Sequence, residues 1–436
     1  MKYSYRSALL WLLVFLLLSL IPLVIAVSGN IPEYRSFWIE MAVALGFLGL
    51  ALFGLLFIFS GRFANIAPTF GMDNILHFHK VMGIIAVVFI LAHPVILILA
   101  NAEFSVFFDP RVNFLRAIAL SFASIALLAI ITTSLWRKFF KFNYEKWRLI
   151  HGLLALSLVF IGVVHAIQVG YYLDTLWKKG LLVLLMGIAM YFLIHTRIVR
   201  PWRMKKKPYK IVEVKEERDN CWTISLEPIG HKRKQFTAGQ FFWISINETP
   251  FTLQQHPFTV ASGEKNNKFS FTAKETGDFT SKWGDFKPGT KAFLEGPFGS
   301  FTPIAGKHFF LVMGGIGITP AMSMLRTMRE TNDPRKAVLI YANNDWENVT
   351  FREELEEIKS QIDLKIIHIL LEPPKEWGGE EGMIEQEILE KYLPENKNDF
   401  MYYICGPKPF MDLAEIGLKN LGVNWRYIYT ERFEIV

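Results

Sequence analysis

Six stretches of about 20 residues with almost unbroken apolar character dominate the first half of the chain, at about 8–27, 38–59, 77–100, 114–135, 149–170 and 179–197. Each is long enough to cross a ~30 Å hydrocarbon core as a helix. The first follows Met-Lys-Tyr-Ser-Tyr-Arg, but its length and the lack of a small-residue cleavage site make it a span rather than a signal peptide. From about residue 207 the pattern changes to short alternating segments between turn residues: Tyr209–Val214, Trp222–Leu226, Phe241–Ile246, Phe269–Ala273 and Ala292–Leu294. That spacing predicts a small antiparallel barrel. From about 308 the strand-like runs His308–Met313, Ala337–Tyr341, Lys365–Leu371 and Met401–Cys405 alternate with helix-like runs at 320–331 and 350–360. This is the rhythm of a parallel, doubly wound α/β unit. The expected fold is therefore a multi-domain membrane protein: an all-α six-helix bundle over 1–200, an antiparallel β-barrel over 205–303 and an α/β doubly wound domain over 304–436.

The chain has 436 residues, room for about three domains of ~150 residues. Charge sharpens the division. Lys and Arg outnumber Asp and Glu by 16 to 7 in residues 1–200, whereas the rest carries 31 against 33. The basic excess flanks apolar runs, so its partner is an anionic lipid surface and not nucleic acid. One set of alternate loops holds 11 Lys/Arg, and the other holds Arg35, Arg111, Arg116, Lys178 and Lys179. The positive-inside rule then puts the N-terminus in the cytoplasm of a cell-membrane protein, and six spans return the C-terminal half to the same side. The run Arg200-Pro-Trp-Arg-Met-Lys-Lys-Lys-Pro-Tyr marks the membrane exit, with Trp202 and Tyr209 as interface anchors. Cys221 and Cys405 are the only cysteines and form no metal-binding spacing, which excludes a disulfide framework or a cysteine-ligated cluster.

Four histidines lie at membrane depth: His79 and His93 in the third span, His151 and His165 in the fifth. Each pair is 14 residues apart, which returns a helix to within about 40° of the same face, about 21 Å further along. The two spans run in the same direction, so His79 matches His151 in depth and His93 matches His165. Imidazoles facing one another at two depths are what two stacked six-coordinate haem irons require. Polar residues at membrane depth are costly and seldom idle. His77 falls about 160° off the stripe and reads as interfacial; His195 reads as a boundary residue, and Pro94 as a kink. Phe160, between the two histidines of the fifth span, either lies along the path joining them or packs.

In the second half, Gly314-Gly-Ile-Gly-Ile-Thr-Pro320 joins the first strand of the doubly wound unit to its helix. Gly314, Gly315 and Gly317 allow a tight turn and a close approach by a pyrophosphate; Thr319 can cap the helix and Pro320 suits its first turn. Cys405-Gly406-Pro407 closes a later strand at the edge where such sheets bind ligands.

Taken in order over about residues 40–436, the chain resembles the ferric reductase and NADPH oxidase superfamily: paired haem histidines in spans three and five, then a ferredoxin-reductase-like flavin and nicotinamide module. The resemblance implies that His256-Pro-Phe-Thr259 is the flavin-binding strand, with Pro257 and Phe258 along the isoalloxazine and Thr259 on its polar edge or ribityl chain. Lys274-Glu-Thr-Gly-Asp-Phe-Thr280 is similar to the second flavin motif, which assigns Lys274 and Thr280 to the pyrophosphate. Lysine there keeps the charge of the commoner arginine but loses its bidentate fork. Glu295-Gly-Pro-Phe-Gly299 resembles the segment closing the barrel under the nucleotide. Gly314–Pro320 and Cys405-Gly406-Pro407 match the nicotinamide dinucleotide motifs, with Cys405 beside the reactive ring. Glu431-Arg-Phe433 resembles the family's ending, whose aromatic residue covers the flavin until nicotinamide displaces it. Cys405 and Phe433 are accordingly the implied catalytic positions.

The implied activity is transmembrane electron transfer: from NADPH or NADH through FAD, then through two b-type haems held by His79/His151 and His93/His165, to an outer acceptor, ferric iron or dioxygen. Family oxidases have a further histidine one turn beyond the outer ligand; Leu97 stands there, which inclines the reading toward a metal reductase. After Tyr341 comes Ala-Asn-Asn-Asp345, with no arginine for a 2′-phosphate, which favours NADH. A transporter or membrane sensor with a regulatory nucleotide domain would use the same histidines without haem. A haem protein fed by quinol would leave the flavin motifs idle.

Overall fold

A computed structural model describes residues 5–59, 61 and 72–432, in two compact units that divide between Arg200 and Pro201. The first holds six apolar helices: α1 (Tyr5–Val27), α2 (Phe37–Phe59), α3 (Met72–Ala100), α4 (Phe114–Leu135), α5 (Tyr144–Val169) and α6 (Leu176–Ile194). All six are long and apolar enough to cross a membrane. α5 starts five residues before the apolar run at 149 because Asn143 caps it, accepting from the backbone N–H groups of Glu145 and Lys146. Gly170 ends it in the left-handed conformation, φ 66°.

Large apolar side chains cover the outside of the bundle, among them Leu17, Leu99, Ile125 and Leu176. In water such a surface would aggregate; in lipid it is the solvated face. The interior is built around α2, the most enclosed of the spans. A Cβ on Gly49 would stand 2.5 Å from Ile90 Cγ1, so α2 and α3 approach at a spacing only glycine permits there. Lys178 of α6 is fully buried, yet satisfied: its ammonium donates to the carbonyls of Ala26, Asn30 and Tyr172 and pairs with Asp174 at 3.0 Å. It thereby caps the carbonyl end of α1 with a cation. A short 3₁₀ helix, Ala102–Phe108, connects α3 to α4.

The second unit begins with α7 (Arg200–Lys205), then two sheets. Strands β1 (Tyr209–Glu217), β2 (Cys221–Pro228), β3 (Phe241–Ile246), β4 (His256–Thr259), β5 (Phe269–Lys274) and β6 (Lys291–Phe298) form an antiparallel sheet in the order β4-β3-β6-β1-β2-β5. The sheet curls until Val260, just past β4, bridges to Phe271 of β5. Tyr209 is no membrane anchor: as the first residue of β1 it shares the inner face with Ile211, fully buried, its ring 5.8 Å from that of Phe269. Trp202 remains exposed, with Lys206 over its ring.

The other sheet is parallel. Strands β7 (His308–Gly314), β8 (Ala337–Asn343), β9 (Leu364–Leu370), β10 (Glu380–Glu381), β11 (Phe400–Cys405) and β12 (Ile428–Thr430) alternate with α8 (Thr319–Thr331), α9 (Arg352–Lys359), α10 (Gln386–Tyr392) and α11 (Lys408–Asn420). Its order, β10-β9-β8-β7-β11-β12, runs outward one way from β7 and then resumes on its other side at β11. α8 ties the two sheets together. Ser323 donates to the Ser262 carbonyl at 2.8 Å, and Arg326 donates to the Ala261 carbonyl at 2.7 Å while gripping Glu354.

Burial opposes ionisation of Glu354, but the Arg326 guanidinium outweighs it and holds the carboxyl below its ordinary range. A depressed folded pKa stabilises above the ordinary glutamate range and is lost as pH falls through the folded value. Arg326→Ala leaves the Glu354 carboxylate with the longer contact to Arg329, at 3.6 Å, and should destabilise the second unit by about 2 kcal/mol at pH 7. Thermal unfolding of the detergent-purified chain checks this. The gap between variant and wild type should narrow as pH drops below 4.5.

Candidate functional site

The bundle brings its four histidines together two by two. The rings of His79 and His151 have centroids 6.4 Å apart with their planes at 52°, and those of His93 and His165 lie 6.3 Å apart at 74°. Two in-line metal–imidazole bonds of ~2 Å each set a ring-to-ring distance of roughly 6 Å. Among the described residues no cluster of three or more His, Cys, Asp or Glu could hold a metal ion. The protein therefore offers each depth two nitrogens and nothing else, a donor set that suits an iron whose other four positions come from a porphyrin. A cavity of about 220 Å³ adjoins the His93–His165 pair, lined by His93, His165, Gly46, Leu97, Phe107 and Leu120 among others.

Neighbouring groups decide which nitrogen is free. His93 Nδ1 lies 2.8 Å from the Ala42 carbonyl of α2, an acceptor only, so Nδ1 carries the proton and Nε2 keeps its lone pair. Ser134 donates its hydroxyl to the Ile130 carbonyl at 2.6 Å, which leaves its oxygen to accept from His151 Nδ1 at 3.3 Å. The backbone facing His79 is that of Leu56, although Nδ1 closes no hydrogen bond there. His165 Nδ1 is buried without a partner, with the Phe107 ring edge-on at 5.9 Å. His77 is exposed. His195 heads a π turn, His195–Val199. Phe160 is exposed on the bundle surface and neither bridges the two pairs nor packs inside.

In the second unit, the carboxyl ends of β7 and β11 meet where the strand order reverses, the place where open α/β sheets bind ligands. Two glycine turns face each other there. A Cβ on Gly317 would lie 2.5 Å from the Cys405 carbonyl oxygen, and one on Gly406 would lie 3.2 Å from Gly314 Cα. Gly315 adopts φ 52°. Side chains would fill this cradle, and the following helix, α8, begins at Thr319-Pro320 with its N–H groups toward the turn. Pro407 starts α11 in the same way. Cys405 is wholly enclosed, and burial pushes its thiol well up, so it stays protonated.

On the antiparallel sheet, β4 carries His256, Pro257, Phe258 and Thr259. The Thr259 hydroxyl is buried and has no partner, the mark of a polar group awaiting a ligand. His256 stacks on Phe279 at 4.4 Å. Lys274 ends β5 with its ammonium 2.6 Å from Asp219, and Thr280 accepts from the Thr276 and Gly277 N–H groups. Phe433 lies outside the described residues. Sequence reasoning missed Ala42, Gly46 and Ser134. A backbone carbonyl leaves no trace in residue type, and a serine in an apolar span was not singled out.

Residues 45–162 match the family of ferric reductase like transmembrane components, 206–301 an FAD-binding domain family and 311–415 the oxidoreductase NAD-binding domain family. NADH-cytochrome b5 reductase 1 of Debaryomyces hansenii is 32% identical over 249 residues, 54% of this chain and 87% of that protein. NADH-cytochrome b5 reductase 1 of Mycosarcoma maydis is 27% identical over 222 residues, 49% of this chain and 68% of that one. Of two further relatives the chain spans less than half, 42% and 25% of their length. The flavohem-like FAD/NAD binding domain of nitric oxide dioxygenase from Vibrio cholerae is 20% identical, with a TM-score of 0.46 over 52% of this chain and 97% of that one.

Gly317→Ala would push the turn off the Cys405 carbonyl. The apparent KM for the nicotinamide nucleotide should rise at least ~10-fold, about 1.4 kcal/mol. Initial rates with a soluble artificial acceptor measure it, and the visible spectrum of the resting protein should not change.

Proposed function

Because the chain belongs to the ferric reductase and NADPH oxidase superfamily, and is an oxidoreductase that uses NAD(P)H and FAD, we propose that it carries electrons across a bilayer from cytoplasmic NAD(P)H to an acceptor on the outer face. The observation that carries this reading is the pairing of His79 with His151 and of His93 with His165 inside an apolar bundle. FAD, when bound, accepts a two-electron hydride and releases single electrons, the only form in which haem iron takes them.

The chain's own residues hold these groups in place. His79 and His151 would hold a haem on the cytoplasmic side, and His93 and His165 one on the outer side. In the flavin part, residues 205–303, Pro257 and Phe258 wall the ring, Thr259 bonds its polar edge, and Lys274 and Thr280 take the pyrophosphate. In the nucleotide part, residues 304–436, Gly314, Gly315 and Gly317 cradle the dinucleotide phosphates before Thr319 and Pro320. Cys405, Gly406 and Pro407 would bound the nicotinamide, and the family resemblance assigns Phe433 to covering the flavin until it arrives. Residues 1–200 enclose both haems. The concentration of Lys and Arg on one set of loops supports cytoplasmic termini in the cell membrane. Asp345 binds its own turn through Asn348, and with no arginine in Ala342–Asp345 the turn favours NADH over NADPH as the donor. Leu97 at the outer cavity, where a family oxidase has histidine, favours a ferric or other metal chelate over dioxygen.

The test is the visible spectrum of detergent-purified, haem-supplied and FAD-reconstituted protein under argon. NADH should bring up reduced low-spin b-type bands, and His93→Leu should retain roughly half of the haem while losing outer-face reduction. Folded wild-type protein without haem would end this reading and return the histidines to ion passage.

A further inference from the structure

α2 contributes no ligand to either histidine pair, yet it is the helix against which both ligands of α3 are set. Ala42 and Leu56 stand 14 residues apart on α2, the spacing of His79 and His93 on α3, and consecutive spans run antiparallel. Ala42 therefore meets His93 at the same step that brings Leu56 to His79. The two contacts are not equivalent. At Ala42 the carbonyl accepts from His93 Nδ1 at 2.8 Å; at Leu56 the backbone contact to His79 is looser and falls short of full hydrogen-bond geometry.

Gly46 leaves room for the closer of the two contacts. It lies one turn along α2 from Ala42, beside the imidazole, and any side chain there would press on the ring. A Cβ would stand 3.0 Å from His93 Nδ1, 3.2 Å from Cε1 and 3.3 Å from Cγ. With a side chain at position 46 the ring would have to give way by a few tenths of an ångström from its place under the carbonyl. Three further facts make the outer site distinctive. Gly46 itself lines the outer cavity; His165 across from His93 has no Nδ1 partner; and His151 has only the longer bond to Ser134. His93 is thus the one ligand of the four with a short bond to a fixed backbone acceptor among the described residues.

We infer that Gly46 and the Ala42 carbonyl are positioning residues that orient His93 and set the electronic character of the outer haem separately from the inner one. A ligand imidazole that donates its other N–H to a carbonyl is a stronger donor to the metal and is held in one orientation. Stronger donation favours the ferric state, so the Ala42 bond lowers the potential of the outer haem relative to the same ligand set without it. The backbone enforces this, since no side-chain replacement at Ala42 removes its carbonyl; only a side chain at Gly46 can push the ring away.

This rests on the bis-histidine reading above, and the test separates the two. Full-length Gly46→Ala protein, expressed with haem and reconstituted with FAD, is titrated anaerobically against potential and recorded by low-temperature EPR in the ferric state. One haem transition should shift to a more positive potential and one low-spin signal should change, while the other transition stays in place. Gly187→Ala on α6, where a Cβ meets nothing within 4 Å, should leave both unchanged. Ser134→Ala removes the His151 partner and should move the opposite transition alone, which keeps the inference testable if Gly46→Ala does not fold. Both transitions unmoved in Gly46→Ala at full haem content, or both moved equally, would overturn it. No haem in folded wild-type protein would overturn the bis-histidine reading instead.

Discussion

An imidazole at membrane depth has two nitrogens to satisfy and no water with which to satisfy them. The bundle is arranged around that requirement. For His93 a backbone carbonyl of α2 meets one nitrogen, and for His151 a serine hydroxyl of α4 does; the rings of each pair stand 6.3–6.4 Å apart, centroid to centroid. The remaining features serve this geometry. Glycines at 46 and 49 let α2 close on α3, buried Lys178 ties the carboxyl end of α1 to α6, and large apolar side chains cover the outside of the bundle that holds the histidine pairs.

A different constraint governs the second unit. A dinucleotide must lie against backbone rather than side chain, so two strand ends have to come close without Cβ atoms between them. The reversal of strand order at β7 and β11 brings Gly314, Gly317 and Gly406 into one cradle. The antiparallel sheet presents Thr259 from β4, and α8, which leads away from the cradle, also grips the loop after β4 through Ser323 and Arg326. One helix thus fixes both the glycine turn before it and the segment after β4.

Much of this is legible in residue order alone. Membrane helices declare themselves by length, since lipid demands about 20 apolar residues, and a 14-residue histidine repeat on two parallel spans has few other physical meanings. The strand rhythm after residue 207 likewise follows from side-chain alternation. Contacts made by backbone are not legible, which is why Ala42 carries no signal. Composition misled at Tyr209: beside a basic run it resembles an interface aromatic, but the register of β1 turns it into the barrel core. The 3₁₀ helix at Ala102–Phe108 and helices α10 and α11 escaped for a simpler reason. The 3₁₀ helix and α10 have seven residues each, too few for a period to show, while α11 interleaves charged and apolar residues over its 13.

The central claim is that electrons leave on the side opposite to the nucleotide. Sealed proteoliposomes with the nucleotide-binding unit outside and a membrane-impermeant ferric chelate in the lumen test it directly. External NADH should reduce the lumenal chelate at a rate that His93→Leu abolishes. Reduction only of chelate placed outside, with the lumenal pool untouched in wild-type vesicles that hold haem and FAD, would contradict the account.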